Sequence, residues 1–329
     1  MRIGVNPQKS NIQELSHKRH RVILPFWIPN VIDSYFKNQP EVLYWCLKSL
    51  TETINPDNTA ITLINNNSCA EASQVAEAFV EKGVIDKYVV LNQNRGKLDP
   101  LLTEAKGAYE EFITLADADF LFYQGWEDAV IDVFTSFSRA GVVTCYPCPH
   151  LSFHYNSAWV WNMQRRTGKV VSCEDLKMVE QGFGNKEGAG VFSGLGVKRE
   201  VEWRELQYYL EKGDVKACIG ATHALATMKR DIIRKIPDKK VKYIFKNGYE
   251  HEYLDFVPER LGYYRLSTTR CLAYHLGNSV PDEVVSSHGV AERTQKSFPI
   301  YKPRTWFINR IIYPLANPIL RFVRKYRLI

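Results

Sequence analysis

Apolar and polar positions alternate between two periods along the first half of the chain. "RVILP" (21–25) is a short apolar run of strand length, and "EVLYWCLKSLTETI" (41–54) then places Leu43, Leu47 and Leu50 at helical spacing. "AITLINNNS" (60–68) reads as a second strand ending in a polar turn, and "AEASQVAEAFVEKG" (70–83) as a helix closed by Gly83. The pattern repeats. "KYVVLNQNRGK" (87–97) is a strand with a polar end, "LLTEAKGAYEEF" (101–112) a helix, and "FITLADADF" (112–120) a strand. "GWEDAVIDVFTSF" (125–137) is a helix and "AGVVTCYP" (140–147) a fifth strand. Strands alternating with helices predict an α/β fold, a mostly parallel sheet with helices on both faces. The second half is less regular. "ATHALATMKRDIIRKI" (221–236) returns to strand then helix, and "TTRCLAYHLGNS" (268–279) reads as a strand ending in histidine and glycine.

Sheets of this kind bind ligands beyond the carboxyl ends of their strands. Three polar clusters fall there: Asn65, Asn66, Asn67 and Ser68; Asn94, Arg95, Gly96 and Lys97; and Asp117 with Asp119. Ordinary polar loops account for one such cluster better than for three. In an extended segment, residues two apart face the same side, so Asp117 and Asp119 are expected to converge. Two carboxylates at close range repel unless a cation lies between them. Hard oxygen donors suit Mg2+ or Mn2+, and a substrate diphosphate could complete the coordination. A lone D-x-D is common; its place at a strand end gives it weight.

Composition narrows the partners. The net charge is +7, but nine bases and no acids follow Glu292, which leaves residues 1–292 at about −2. A near-neutral body is not built to grip nucleic acid. The tail "KPRTWFINRIIYPLANPILRFVRKYRLI" mixes those bases with Trp306, Phe307, Ile311, Ile312, Leu320 and Phe322, broken by Pro314 and Pro318. It reads as basic amphipathic helices that lie on an anionic membrane surface; a helix packed on the body is the plainer reading. The seven cysteines have no disulfide-framework spacing, and Cys145-x-x-Cys148 lacks a second half, so a zinc site is not expected and a reducing compartment is. The first 21 residues have no apolar core, so no secretory leader is expected. "HLSFHYNSAWVWNMQRR" (150–166) offers Phe153, Tyr155, Trp159 and Trp161 as a sugar-stacking platform or, more simply, as a small hydrophobic core.

The order of these segments resembles the GT-A glycosyltransferases, specifically the inverting family 2-like enzymes. "VILP" looks like the opening strand, "NQNRGK" like the Asn-x-Gly turn, and "FITLADADF" with "GWEDAV" like the D-x-D strand and its following helix. "CIGATHALATMKRD" is similar to the segment shaping the acceptor side, "EHEYLDFVPERLGYYR" to the acidic segment that carries the base, and "AYHLGNS" to the closing strand. The likeness spans roughly residues 21–279. It implies transfer of one sugar, hexosyl in type, from a nucleotide-diphospho-sugar to a hydroxyl of a saccharide or lipid-linked glycan, as in polysaccharide biosynthesis. It further implies Mn2+ or Mg2+ on Asp117, Asp119 and His275, the last of which reads equally well as a core histidine. Donor contacts would come from Pro25, Asn65, Asn67, Asn94, Gly96, Lys97, Asp117 and Ala118. The base would be Glu252, oriented by Asp255, with Glu250 in reserve. The implied domains are an arm (1–20), a transferase domain (21–280, its donor half 21–145 and acceptor half 146–280) and the tail (281–329), in a cytoplasmic, peripheral protein.

Two features depart from the family pattern: asparagines stand at 65–67 where acids are usual, and the acidic segment is not a plain Glu-Asp pair. The processive Q-x-x-R-W signature is missing, which favours single additions. A nucleotidyltransferase would need a glycine- and base-rich loop after the first strand, and "PFWIPNVIDSYF" is not one. A catalytically silent sugar-binding or scaffold protein at the membrane is the other alternative, supported by the asparagines.

Overall fold

The computed structural model describes residues 4–10, 17–154, 157–184, 201–246, 248–286 and 296–301, with positions 315, 318, 319 and 322. The remainder of the base-rich tail, and Tyr155, lie outside the described residues.

Four strands build the first half: β1 (His20–Phe26), β2 (Thr59–Asn65), β3 (Lys87–Val90) and β4 (Phe112–Ala116). They pair in parallel in the order β3-β2-β1-β4. The short β5 (Phe120–Phe122) leaves this sheet. Beyond β4 come β6 (Ala140–Thr144), β7 (Arg166–Gly168), β8 (Gln207–Lys212), β9 (Val215–Ile219), β10 (Leu225–Lys229) and β11 (Tyr264–Ser267). The full order among the described residues is β3-β2-β1-β4-β10-β6-β11-β9-β8-β7. The expected α/β sheet is present, with β10 inserted antiparallel between β4 and β6 and an antiparallel β9-β8-β7 extension.

Alternation along the strands feeds two cores. Val22 and Leu24 face one apolar cluster with Leu43, Leu47, Ala76 and Trp126, from α1 (Gln39–Thr53), α2 (Ala70–Glu81) and a later helix (Trp126–Ser136). Ile23, Ile113 and Leu115 face the other, with Leu101 and Ala105 of α3 (Leu98–Gly107). Burial on both faces is why these strands read as unbroken apolar runs. The helix Trp126–Ser136 is α4; α5 (Ser157–Trp161) and α6 (Cys173–Gly182) follow it.

Two details open the site. The strand order reverses between β1 and β4, the switch point at which such sheets leave a crevice. The β1–β4 ladder ends at Ile23↔Leu115, and Pro25, two residues on, has no N–H to extend it. β5 pairs instead with β12 (Ala273–His275) in a separate two-stranded sheet that sets His275 opposite Phe120.

Candidate active site

A cavity of about 290 Å³ lies at this switch point. Pro25, Trp27, Asn66, Asn94, Gly96, Lys97, Asp117, Ala118 and Asp119 line it. The Asp-Ala-Asp segment is a turn between β4 and β5, not extended strand, so turn geometry rather than strand alternation brings its carboxylates together. Asp117 donates its N–H to Ala224 O at 2.9 Å, and Asp119 O accepts from Leu276 N at 2.7 Å, which fastens both ends of the turn.

The carboxylates are unequally matched. Lys97 Nζ pairs with Asp117 Oδ1. Burial raises the Asp117 carboxyl above its ordinary value; Lys97 opposes the shift and the like charge of Asp119 adds to it. His275 Nε2 lies 3.2 Å from Asp119 Oδ2. Its Nδ1 donates to Gly182 O at 2.9 Å, which leaves Nε2 with a lone pair in the neutral ring. Burial alone would lower the His275 pKa, but the hydrogen bond to Asp119, that carboxylate's charge and the Gly182 carbonyl together raise it. Asp119 Oδ1 is buried with no hydrogen-bond partner among the described residues. An orphaned carboxylate oxygen beside a second carboxylate and an imidazole is a donor set that fits a hard divalent cation.

The asparagines divide by position. Asn65 ends β2 facing inward: its Nδ2 donates to Ser73 Oγ (2.9 Å) and Tyr88 OH (3.1 Å), and its Oδ1 accepts from Ser68 N. Asn67 is exposed and left-handed, φ 66°. Neither lines the cavity, contrary to the expectation from sequence; Asn66 does. Its Nδ2 donates to Asn94 Oδ1 and Gly96 O, both at 3.0 Å, and its Oδ1 accepts from Arg95 N at 2.9 Å. These bonds hold the 94–97 turn so that Lys97 reaches Asp117. Gly96 has φ +75°, and a Cβ there would meet Ile244 O at 2.7 Å, because residues 241–246 cross over the turn. From that crossing segment Phe245 packs on Trp27 with centroids 5.3 Å apart, forming an aromatic wall that sequence reasoning missed. The signal available was the aromatic pair Phe26-Trp27 at the end of β1.

A second cavity, of about 210 Å³, has none of the first cavity's lining residues among the described residues. Phe183 lines it and stacks on His275 at 4.7 Å and 9°. Asp255, His251, His223 and Arg265 meet in it. Arg265 Nη2 donates to Asp255 Oδ1 at 2.7 Å; His223 Nδ1 reaches Oδ2 at 3.0 Å, and His251 Nδ1 reaches the same oxygen. Burial works against ionisation of Asp255, but the Arg265 charge and the two histidine hydrogen bonds hold its pKa well below the usual carboxylate range. Residues His251–Asp255 form a π-helical turn that aims His251 and Asp255 inward. Glu252 is thereby exposed and Glu250 half-buried, and neither lines either cavity. Of the three acids, Asp255 is the one that lines the second cavity. Phe153 packs with Trp203 and Tyr208 in the core rather than standing as a platform.

Residues 32–182 match the family model described as Glycosyl transferase family 2. That segment belongs to glycosyl transferase family 2. The family 2 segment includes α1 to α6 and both carboxylates of the turn, and stops short of β10, β11 and β12. With it stands the expected GT-A type of α/β fold. No curated protein matches the sequence. Similar solved structures include S. aureus TarS 1-349 in complex with UDP-GlcNAc (TM-score 0.32, 18% identity, 39% of this chain and 34% of that one). Others are S. aureus TarS 1-349 in complex with UDP (0.42, 13%, 82% and 62%) and the mannosyltransferase PcManGT from Pyrobaculum calidifontis in complex with GDP-Man and Mn2+ (0.40, 13%, 95% and 65%). The chain spans about a third of the length of the first of these.

Proposed function

We propose that this chain is a metal-dependent, inverting glycosyltransferase that moves a single sugar from a nucleotide-diphospho-sugar to a hydroxyl of a saccharide or lipid-linked glycan. The observation that carries the reading is the Asp117–Asp119 turn, with its orphaned Asp119 oxygen, at the switch point of the sheet and inside the family 2 segment. Asp117, Asp119 and His275 would hold Mn2+ or Mg2+. When bound, the ion supplies Lewis acidity and neutralises charge on the departing diphosphate.

The remaining work falls to the chain. Lys97 places a positive charge beside the diphosphate, and Asn66 and Asn94 fix its turn. Trp27 and Phe245 offer faces for a nucleobase. The acceptor occupies the second cavity, so its hydroxyl attacks from the side away from the leaving group, which inverts the anomeric carbon. The Asp255 cluster faces that hydroxyl. The acid-free stretch after Glu292 supports a peripheral seat on anionic lipid at the cytoplasmic face. Among the described residues no helix is long and apolar enough to cross a membrane.

The test is a panel of nucleotide-sugars with the purified chain, scored for nucleoside diphosphate release with and without Mn2+. Release from one donor that needs the metal supports the reading, and binding without turnover of any donor would favour a silent sugar-binding protein. For the tail, replacing Arg321, Arg324, Lys325 and Arg327 by glutamate should abolish salt-sensitive co-sedimentation with phosphatidylserine vesicles; unchanged sedimentation removes the membrane from the account.

A further inference from the structure

The acidic segment offers three acids that could take a proton, and Asp255 among them meets two histidines that sequence reasoning passed over. Two of the acids, Glu250 and Glu252, do not line the cavity. The third is already engaged by three donors. A carboxylate offers about four acceptor positions; Arg265 holds Oδ1 of Asp255, and two imidazole Nδ1 atoms share Oδ2. The side chain is buried beside a buried guanidinium, 4% and 2% exposed. A carboxylate stabilised this far in its charged form is a weak proton acceptor near neutral pH.

We propose that His223, oriented by Asp255, is the group that takes the proton from the attacking hydroxyl. This rests on the glycosyltransferase reading above. The Nδ1–H of His223 donates to Asp255 Oδ2, which fixes the tautomer and leaves the lone pair on Nε2. No hydrogen bond to Nε2 is found among the described residues, and the side chain is 20% exposed in the wall of the second cavity. The next residue, Ala224, accepts the Asp117 N–H at 2.9 Å, so His223 stands at the partition between the carboxylate turn and the acceptor cavity. That is where a hydroxyl attacking the sugar of a bound donor must lose its proton.

The neighbouring rings have other duties. His251 stacks on His154 at 5.4 Å and 16° and meets His223 edge-on at 5.0 Å. Its bond to Asp255, against the pull of burial, raises its pKa, so it is suited to keep its proton. Burial pulls His150 down to about 3, which keeps that ring neutral.

In the step itself, the acceptor oxygen bonds to the anomeric carbon. The bond from that carbon to the diphosphate oxygen breaks, and its electron pair leaves with the diphosphate. The acceptor proton passes to His223 Nε2. The resulting imidazolium is stabilised by the Asp255 carboxylate through Nδ1–H, and returns its proton to solvent after release.

Two measurements test this, one of them independent of turnover. Long-range ¹⁵N–¹H spectra of the resting protein should show His223 as the Nδ1–H tautomer, becoming a mixture in Asp255→Asn; an Nε2–H ring in the wild type would overturn the proposal. With water as acceptor and the donor identified by the panel, His223→Gln should lower nucleoside diphosphate release by roughly two to four orders of magnitude. Its calorimetric affinity for the Mn2+–nucleotide-sugar should stay unchanged, and imidazole added to His223→Ala should restore part of the rate. Full activity in His223→Gln overturns the proposal. So does one equivalent of zinc bound by the wild type and lost in His223→Ala, which would make the cluster a metal centre. A wild type that turns over no donor sinks the glycosyltransferase reading instead, and the tautomer then stands or falls by itself.

Discussion

Asp255, in the second cavity, has Arg265 on one oxygen and two imidazoles on the other. Asp117 and Asp119, in the first, share Lys97 and His275, and one Asp119 oxygen has no partner among the described residues. The second site is complete as it stands: its negative charge is compensated, and the cost of burying it is met by its partners. The first keeps an uncompensated donor set that a cation and a diphosphate together would complete. Removing charge should therefore damage the fold at one site and only the ligand affinity at the other.

The largest effect on stability is expected from Asp255→Ala. It strands Arg265 in the interior without its counter-charge, and loss of one partner of a buried pair costs about 3–5 kcal/mol. Urea unfolding should show this directly, and a change within error would mean the cluster is open to solvent. The same carboxylate sets an acid limb. Its folded-state pKa lies below the unfolded value, so its contribution is fully present above the ordinary carboxylate pKa and is lost as pH falls through the folded one. Melting temperature should drop on acidification below about pH 4, and Asp255→Asn should flatten that drop. An identical acid limb in the variant would assign acid sensitivity elsewhere.

Gly96→Ala comes next. It forces a side chain into a left-handed backbone and against Ile244 O, at a cost of roughly 1–3 kcal/mol. Because the turn carries Lys97, nucleotide-sugar affinity should fall as well. Wild-type affinity and stability together would mean that residues 241–246 do not rest on the turn.

The two cavities also differ in how far the sequence announced them. The first is made by consecutive strand ends, so its parts follow one another along the chain: Asn94, Gly96, Lys97 and Asp117 stand where apolar runs stop, and Pro25 and Ala118, named through the family resemblance, line the same cavity. The errors there were of local geometry. Asn67 adopts a left-handed conformation and is exposed, so Asn66 rather than Asn65 or Asn67 lines the cavity. The second cavity gathers Phe183, His223, the His251–Asp255 turn and Arg265 from four separate stretches of chain. Nothing local marks that assembly. The π-helical turn puts His251 and Asp255 on one side and turns Glu252 outward, a consequence of helical pitch that counting acids could not supply. His223 precedes a strand recognised for its apolar pattern and its likeness to an acceptor-side segment, without a role for the histidine; the pairing of β10 beside β4 is what brings it to the site.

The smallest stability effect, and the sharpest functional one, belongs to Asp119→Asn. Neutralising one member of an uncompensated pair should leave the melting temperature unchanged or slightly raised, as is usual where residues are kept for function at a cost in stability. Calorimetric titration of the panel-identified nucleotide-sugar into wild type and Asp119→Asn, each with and without Mn2+, tests the central claim. Metal-dependent binding by the wild type that is lost in the folded variant is the predicted result. Equal affinity in both, with or without the metal, would contradict it.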